Sequence, residues 1–340
     1  MLYQLSYRGT PVAIRHGPPP RKIGRICTAP RPGIGSAQKV RKRDRVFHHM
    51  QVVFHLGAPC TDGGLLLQSL ARNRARLAQD GILVPSQSRY RPLLRDTVRA
   101  LKGRVASPDV EDALLDAIIE DHEVERLIFS DALLVSIPRL VVTGPQIWPM
   151  IERQVAALRG LFPSASPEIF LAMRDPATLI PALFDASKFT DFTEFTQNMQ
   201  PHAATWSEML RRLRMAHPDV PVTVWCNEDT PLLWGQLLHE ITDTPHDYPL
   251  QGVDDLIETI MEPTGFKRLQ RYLADNPAQS EIQRRRIVSA FLGRYALETA
   301  IEEELDLPGW TPELIETLTL AYEDDMAEIA RIPGVTLLAP

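Results

Sequence analysis

Residues 51–68 read Gln51-Val52-Val53-Phe54-His55-Leu56-Gly57-Ala58-Pro59-Cys60-Thr61-Asp62-Gly63-Gly64-Leu65-Leu66-Leu67-Gln68. A short β-branched and aromatic run gives way to a glycine-bearing loop, and an amphipathic stretch follows that stops at Gly81. The pattern is strand, loop, helix. Such a loop presents backbone N–H groups at a helix N-terminus, where the helix dipole also favours an anion. Glycine lets the backbone approach that anion without a Cβ in the way. Asp62 pulls in the other direction: its charge disfavours a bound phosphate, and it equally fits the cap of a plain strand-to-helix turn. From these residues alone both readings stand.

Working outward, further short apolar runs lie at 126–130, 167–173 and 221–226, each bounded by turn residues. Near-continuous apolar strands are those covered on both faces, as in a parallel sheet. Helical periodicity falls between them at about 63–80, 91–102, 108–121, 147–161, 176–187 and 205–216. Beyond 226 it dominates, near 230–242, 251–261, 265–275, 279–304 and 311–331, before a last apolar run at 335–338 that reads as an edge strand. Thr311-Pro312-Glu313 is a helix start with its cap, first-turn proline and early acid. The expected fold is α/β, a three-layer sandwich around a mostly parallel sheet with a helical carboxyl-terminal half.

Charge divides the chain. Residues 1–49 hold eleven of the 37 Lys/Arg but one of the 43 acids, Asp44, so the body from residue 50 is strongly acidic. That argues against nucleic-acid binding by the body, which needs a clustered basic face. The first 49 residues carry Pro18-Pro19-Pro20 and Lys39-Val40-Arg41-Lys42-Arg43 without sustained periodicity, and are expected to be a disordered basic extension. Met50 directly precedes the first strand, so an initiation at Met50 is the favoured account of that stretch, ahead of an anion-binding arm or a targeting segment. Cys27, Cys60 and Cys226 are odd in number and widely spaced, which suggests neither a disulfide framework nor zinc and fits a reducing cytoplasm. No apolar run reaches the roughly 20 residues of a membrane span.

The stretch from Val53 to Pro85 resembles the start of bacterial sulfotransferases, through His55-Leu56-Gly57, Leu67-Gln68 and the helix that ends before Gly81-Ile82 and Pro85. Ile169-Phe170-Leu171-Ala172-Met173-Arg174-Asp175-Pro176 is similar to the family's strand and Arg-Asp-Pro motif. Weaker echoes are Trp225-Cys226-Asn227-Glu228-Asp229 and the terminal helix around Tyr322-Glu323-Asp324. The resemblance implies a P-loop-type fold and sulfuryl transfer from 3′-phosphoadenosine 5′-phosphosulfate to a hydroxyl or amine of a small-molecule or glycan acceptor. It would place Gly57, Thr61, Gly63 and Gly64 around the donor's 5′ end and Arg174 on its 3′-phosphate.

The chain departs from that family at the centre of the chemistry. Where the family reads Lys-Thr-Gly-Thr-Thr, this chain has Cys60-Thr61-Asp62-Gly63-Gly64, without a lysine. Losing a preorganised donor to a developing charge costs about 2.7–4 kcal/mol of barrier, roughly 10²–10³ in rate. The serine usual eight residues after the arginine falls at Ala182, beside Pro181. A catalytically inactive binding or regulatory module is therefore the alternative, and an arginine from 89, 91 or 95 entering the loop would restore the case for activity. An ATPase or kinase is disfavoured because the loop has no Gly-Lys-Ser/Thr.

Single residues carry paired readings. His55 is a candidate base or a hydrogen-bonded strand-end group. Cys60 is a nucleophile only if the helix N-terminus stabilises its thiolate. Ser130-Asp131 and Glu228-Asp229 are ligand-facing groups at strand ends or helix-start residues. The run Arg284-Arg285-Arg286 reads as a solvated helix face before it reads as an anion contact.

Overall fold

The computed structural model describes residues 50–119, 123–297, 300 and 305–340. The basic stretch 1–49, with the start-site question and Cys27, lies outside them, as does the end of the helical region expected at 279–304. The strands are β1 (Gln51–His55), β2 (Ile82–Leu83), β3 (Arg126–Ser130), β4 (Val142–Thr143), β5 (Gln146–Ile147), β6 (Ser166–Met173), β7 (Val222–Cys226) and β8 (Val335–Leu338). Six of them form one sheet in the order β2-β3-β1-β6-β7-β8, every pairing parallel. Strands β4 and β5 make a separate antiparallel hairpin.

Parallel neighbours need crossover connections, and helices supply them on both faces. In chain order these are α1 (Leu65–Arg72), α2 (Arg74–Leu77), α3 (Gln87–Leu101), α4 (Pro108–Ile119), α5 (Ile151–Arg159), α6 (Pro176–Asp185), α7 (Phe192–Thr196), α8 (Trp206–Ala216) and α9 (Thr230–Thr242). The carboxyl-terminal part adds α10 (Asp255–Ile260), α11 (Pro263–Asp275), α12 (Glu281–Tyr295) and α13 (Pro312–Ile329).

Strand alternation sorts the core into two sides. Val52 and Phe54 of β1, Leu127 and Phe129 of β3, and Ile169 and Leu171 of β6 face the layer holding α3, α4, α5, α6, α8 and α13. Val53, Ile128, Phe170, Ala172 and Trp225 face the other side, against α1, α9 and α10. Side chains two apart share a face, so each strand feeds both cores at once. A third apolar cluster joins α10, α11 and α12 through Ile257, Ile260, Phe266, Leu269 and Val288. The fold is an α/β three-layer sandwich with a helical carboxyl-terminal part.

Helix boundaries differ from the periodicity in places. The stretch 63–80 is broken at Asn73, whose side-chain amide donates to the carbonyls of Ser69 (2.8 Å) and Gln251 (2.9 Å) and accepts from the Gln251 amide. The stretch 251–261 becomes helical only from Asp255, because Gly252 adopts φ 85° and turns the chain first. Helix α3 starts earlier than expected, at Gln87. The arginine run on α12 is not simply a solvated face: Arg284 pairs with Asp254 and Arg285 donates to Gln236 and Ala339.

Helix α13 is fastened to the sheet by polar side chains. Asp325 accepts from the Trp206 and Ser207 amides at 2.8 and 3.1 Å, capping α8 from a different helix. Thr319 donates to Asp175 (2.6 Å) and Tyr322 donates to the Met173 carbonyl (3.2 Å) at the end of β6.

Phe129 lies at the centre of one core, with ring centroids 5.8 Å from Phe54, 4.9 Å from Tyr90 and 5.6 Å from Phe162. Phe129→Ala is expected to lower the unfolding free energy by about 3–5 kcal/mol. Ile282→Ala, at a side chain 61% exposed, should change it by no more than about 0.5 kcal/mol. Urea denaturation of both variants checks the pair.

Candidate functional site

In open α/β sheets ligands bind beyond the carboxyl ends of the strands where the strand order reverses. Here the reversal falls at β1, flanked by β3 and β6. The loop from Leu56 to Gly64, Ser130-Asp131 and Arg174-Asp175 all converge there.

The loop is closed on itself. Asp62 accepts the Gly64 amide on Oδ1 (3.3 Å) and the Leu66 amide on Oδ2 (2.8 Å), and its carbonyl accepts the Leu65 amide (3.0 Å). The carboxylate thus caps α1 and takes amides that an anion site would offer. Gly63 and Gly64 adopt φ 61° and 85°, left-handed conformations that a Cβ would strain. Nothing lies within 4 Å of a Cβ added at Gly64, so that glycine serves the turn rather than a close approach. Gly57 (φ 52°) lets the loop pass Ala132, whose Cβ would stand 3.3 Å from an added Cβ. Thr61 donates its hydroxyl to the Ala58 carbonyl (2.8 Å). A void lined by Thr61, Asp62, Asn227, Thr230, Pro231 and Leu256 measures about 10 Å³, at the lower limit for a single water.

Arg174 is buried, with 2% of its surface exposed. Its Nη1 donates to the Cys60 carbonyl (2.6 Å) and its Nε to Thr178 Oγ1 (2.9 Å), tying the end of β6 to the loop. Cys60 holds a left-handed backbone (φ 68°) in this arrangement, and its Sγ donates to the Ala182 carbonyl at 3.3 Å.

His55 is buried, with Nδ1 2.8 Å from Ser130 Oγ and its ring stacked on Trp225 at 5.9 Å. Burial pushes the His55 imidazole below its ordinary pKa, against the opposing pull of Asp62 and Asp131. Among the three arginines considered as replacements for a loop lysine, Arg91 forms a two-pronged pair with Asp131. Arg95 bonds Asp96, and Arg89 donates to the Ala117 carbonyl.

Farther along the same rim, a cavity of about 260 Å³ opens at the ends of β6, β7 and β8. Asp175, Cys226, Glu228, Asp229, Tyr322 and Met326 line it, joined by Leu337 and the rim residue Glu323, with no Lys or Arg in the wall. Glu228 lies in a 3-10 turn, Asn227–Asp229, that leads directly into α9, at the helix start its position suggested. It accepts the Asp175 amide on Oε1 (3.0 Å) and the Tyr322 hydroxyl on Oε2 (3.1 Å). Burial, helped by the nearby Asp175 charge, pushes its carboxyl up to about 7. Burial likewise pushes the Cys226 thiol up to about 12, which leaves it protonated and unreactive at neutral pH.

Asp175 caps α6 through the Ala177 amide (2.8 Å), and its carboxyl is raised by burial. Sequence reasoning placed Arg174 and Glu228 separately. It did not join them to Thr319 and Tyr322, which arrive from a helix more than ninety residues downstream. Neither a metal-holding group of His, Cys, Asp or Glu nor a helix long and apolar enough to cross a membrane occurs among the described residues.

Two outcomes follow from this geometry. Asp62→Ala should destabilise the fold by about 1 kcal/mol in urea denaturation, as lost caps do, while Asp62→Asn, which keeps an acceptor oxygen, should lose less. The Glu228 carboxyl lies above its unfolded value of 4.5, so the unfolded chain gives up its proton first and stability falls as pH rises from there towards 7. Glu228→Gln should therefore gain stability relative to the natural chain between about pH 5 and pH 8. Denaturation midpoints across that range read the sign directly. No family model, curated protein or solved structure matches this chain, so its chemistry is read from these residues alone.

Proposed function

We propose that this chain is a sulfotransferase-like scaffold that does not use 3′-phosphoadenosine 5′-phosphosulfate and serves as a non-catalytic binding module. The observation that carries this reading is the Asp62 carboxylate seated on the Gly64 and Leu66 amides. Two like charges about 4 Å apart repel by about 4 kcal/mol at an effective dielectric of about 20. A helix N-terminus returns about 0.3–1 kcal/mol to an exposed anion. That repulsion exceeds the helix-dipole return, and the arginines 89, 91 and 95 are engaged with other groups rather than placed to offset it.

One observation favours the rival reading, retained sulfuryl transfer: Arg174 lies at the strand-order reversal, bonded to the loop that would hold the donor. In that reading Gly57, Thr61, Gly63 and Gly64 cradle the donor's 5′ end, Arg174 holds its 3′-phosphate and His55 serves as base. The burial of His55, which favours its neutral form, is compatible with a base, but the arginine is already committed to Cys60 and Thr178.

Calorimetric titration of 3′-phosphoadenosine 5′-phosphate separates the two. The expected result is no binding by the natural chain, and weak binding that appears in Asp62→Ala as the amides are released. Micromolar binding by the natural chain, lost in a folded Arg174→Lys variant, would overturn the proposal and return the donor to this site.

A further inference from the structure

The open cavity at the ends of β6, β7 and β8 differs in chemistry from the closed loop beside it. Its lining combines the acids Asp175, Glu228, Asp229 and the exposed Glu323 with apolar Met326, Leu337 and Leu338. The acids are not equivalent. Asp175 is consumed by the Ala177 amide and Thr319, and Glu228 by the Asp175 amide and Tyr322. Asp229 is half-buried, and burial raises its carboxyl above the ordinary aspartate value. It occupies the cap position of α9, yet its side chain makes no capping bond there. Its carboxylate has no hydrogen-bond or ion-pair partner among the described residues. A carboxylate partly withdrawn from water at the mouth of a cavity is stabilised by a cation or donor that joins it there.

We propose that this cavity binds a small organic cation, a protonated amine carrying an apolar group, with the ammonium on Asp229, the Glu228 charge beside it, and the apolar part against Met326 and Leu337. The proposal goes beyond the reading of the closed loop and does not rest on it. An ammonium offers three donors in a compact charge, which suits carboxylates approached from one side. A bare metal ion is a poorer match. Hard divalent cations take about six or more oxygen ligands, and the described residues hold no group of three or more His, Cys, Asp or Glu placed for one. The volume of about 260 Å³ is that of a metabolite-sized site and falls just below the usual range for ligand pockets, about 300–1,000 Å³.

Position supports the assignment. The ends of parallel strands are where such folds place ligands, and this crevice is the next one along from the reversal at β1. The groups facing Glu228 are Arg174 and Asp175 from the junction of β6 and α6, Cys226 and Asp229 from the end of β7, and Tyr322 and Glu323 from α13. The β8 side adds Leu337 and Leu338, which do not titrate. With Glu228 titrating near 7, an amine that stays protonated should bind more tightly at about pH 8 than at about pH 6, because the second carboxylate is then charged.

The test uses the full-length chain with benzylamine as probe, and benzyl alcohol and benzoate as matched neutral and anionic controls, followed by ligand-observed NMR titration. Benzylamine should bind at about pH 8 with the two controls at least tenfold weaker. Asp229→Asn, at a side chain without a capping bond, should weaken benzylamine at least tenfold without lowering the thermal melt, since burial raises the carboxyl it removes. Met326→Trp should abolish binding by filling the cavity. Equal affinity for the amine and the alcohol, undiminished binding in Asp229→Asn, or no binding of benzylamine at all would overturn the proposal. None of these outcomes depends on whether 3′-phosphoadenosine 5′-phosphate binds, so the two readings fail separately.

Discussion

The Arg174 guanidinium reaches across the end of the sheet to the Cys60 carbonyl, and the Asp62 carboxylate sits on the amides just beyond it. Between them these two charged groups close the crevice that the strand order would leave open. Burying a guanidinium is tolerable only when its donors are met, and here the acceptors include a backbone carbonyl and the Thr178 hydroxyl. The strand end, the loop and α6 are therefore held as one piece. Trp206 extends that piece, donating its ring N–H to the Arg174 carbonyl at 2.9 Å while its own amide is capped by Asp325 of α13. The last long helix is thereby fixed to the centre of the sheet through two successive polar contacts.

Much of this architecture was legible in the chain. β1, β3, β6 and β7 are short apolar runs because both faces of a parallel strand are covered, and that composition announces itself without periodicity. The edge strand β8 was visible for the same reason. What escaped was short or held by distant partners. β2 spans two residues and exists because Arg126 and Leu127 offer it a parallel edge. The hairpin of β4 and β5 is equally brief. The break at Asn73 depends on Gln251, a residue 178 positions away, and no local pattern carries that.

At the site the legible part was the loop's conflict. An acid among glycines permits two readings, and only the placement of its oxygens on the Gly64 and Leu66 amides favours the cap. His55 was open in the same way until its ring was found buried between Ser130 and Trp225. Glu228 is the reverse case. Its position before Thr230-Pro231 suggested a charge at a helix start, where it does stand, but the side chain also turns back to Asp175 and Tyr322. The signal was present in the neighbouring acids and the tyrosine of the terminal helix, but their meeting is a consequence of β6, β7 and α13 converging, which is a tertiary fact.

The two crevices on this rim are linked by one arginine. Arg174 lies between the closed loop and the open cavity, and its charge favours ionisation of both Asp175 and Glu228 even as burial opposes it. With its donors committed to Cys60 and Thr178, the guanidinium stands behind the cavity wall and not within it. The cavity accordingly keeps an acidic lining that an anionic donor would have to overcome and a cation would not. A side chain at the place where the resemblance puts a phosphate ligand thus acts from behind on the polarity of the neighbouring space. On the two proposals made above, that coupling would let a single rim refuse anions at the strand-order reversal and accept, one strand further on, ligands of the opposite charge.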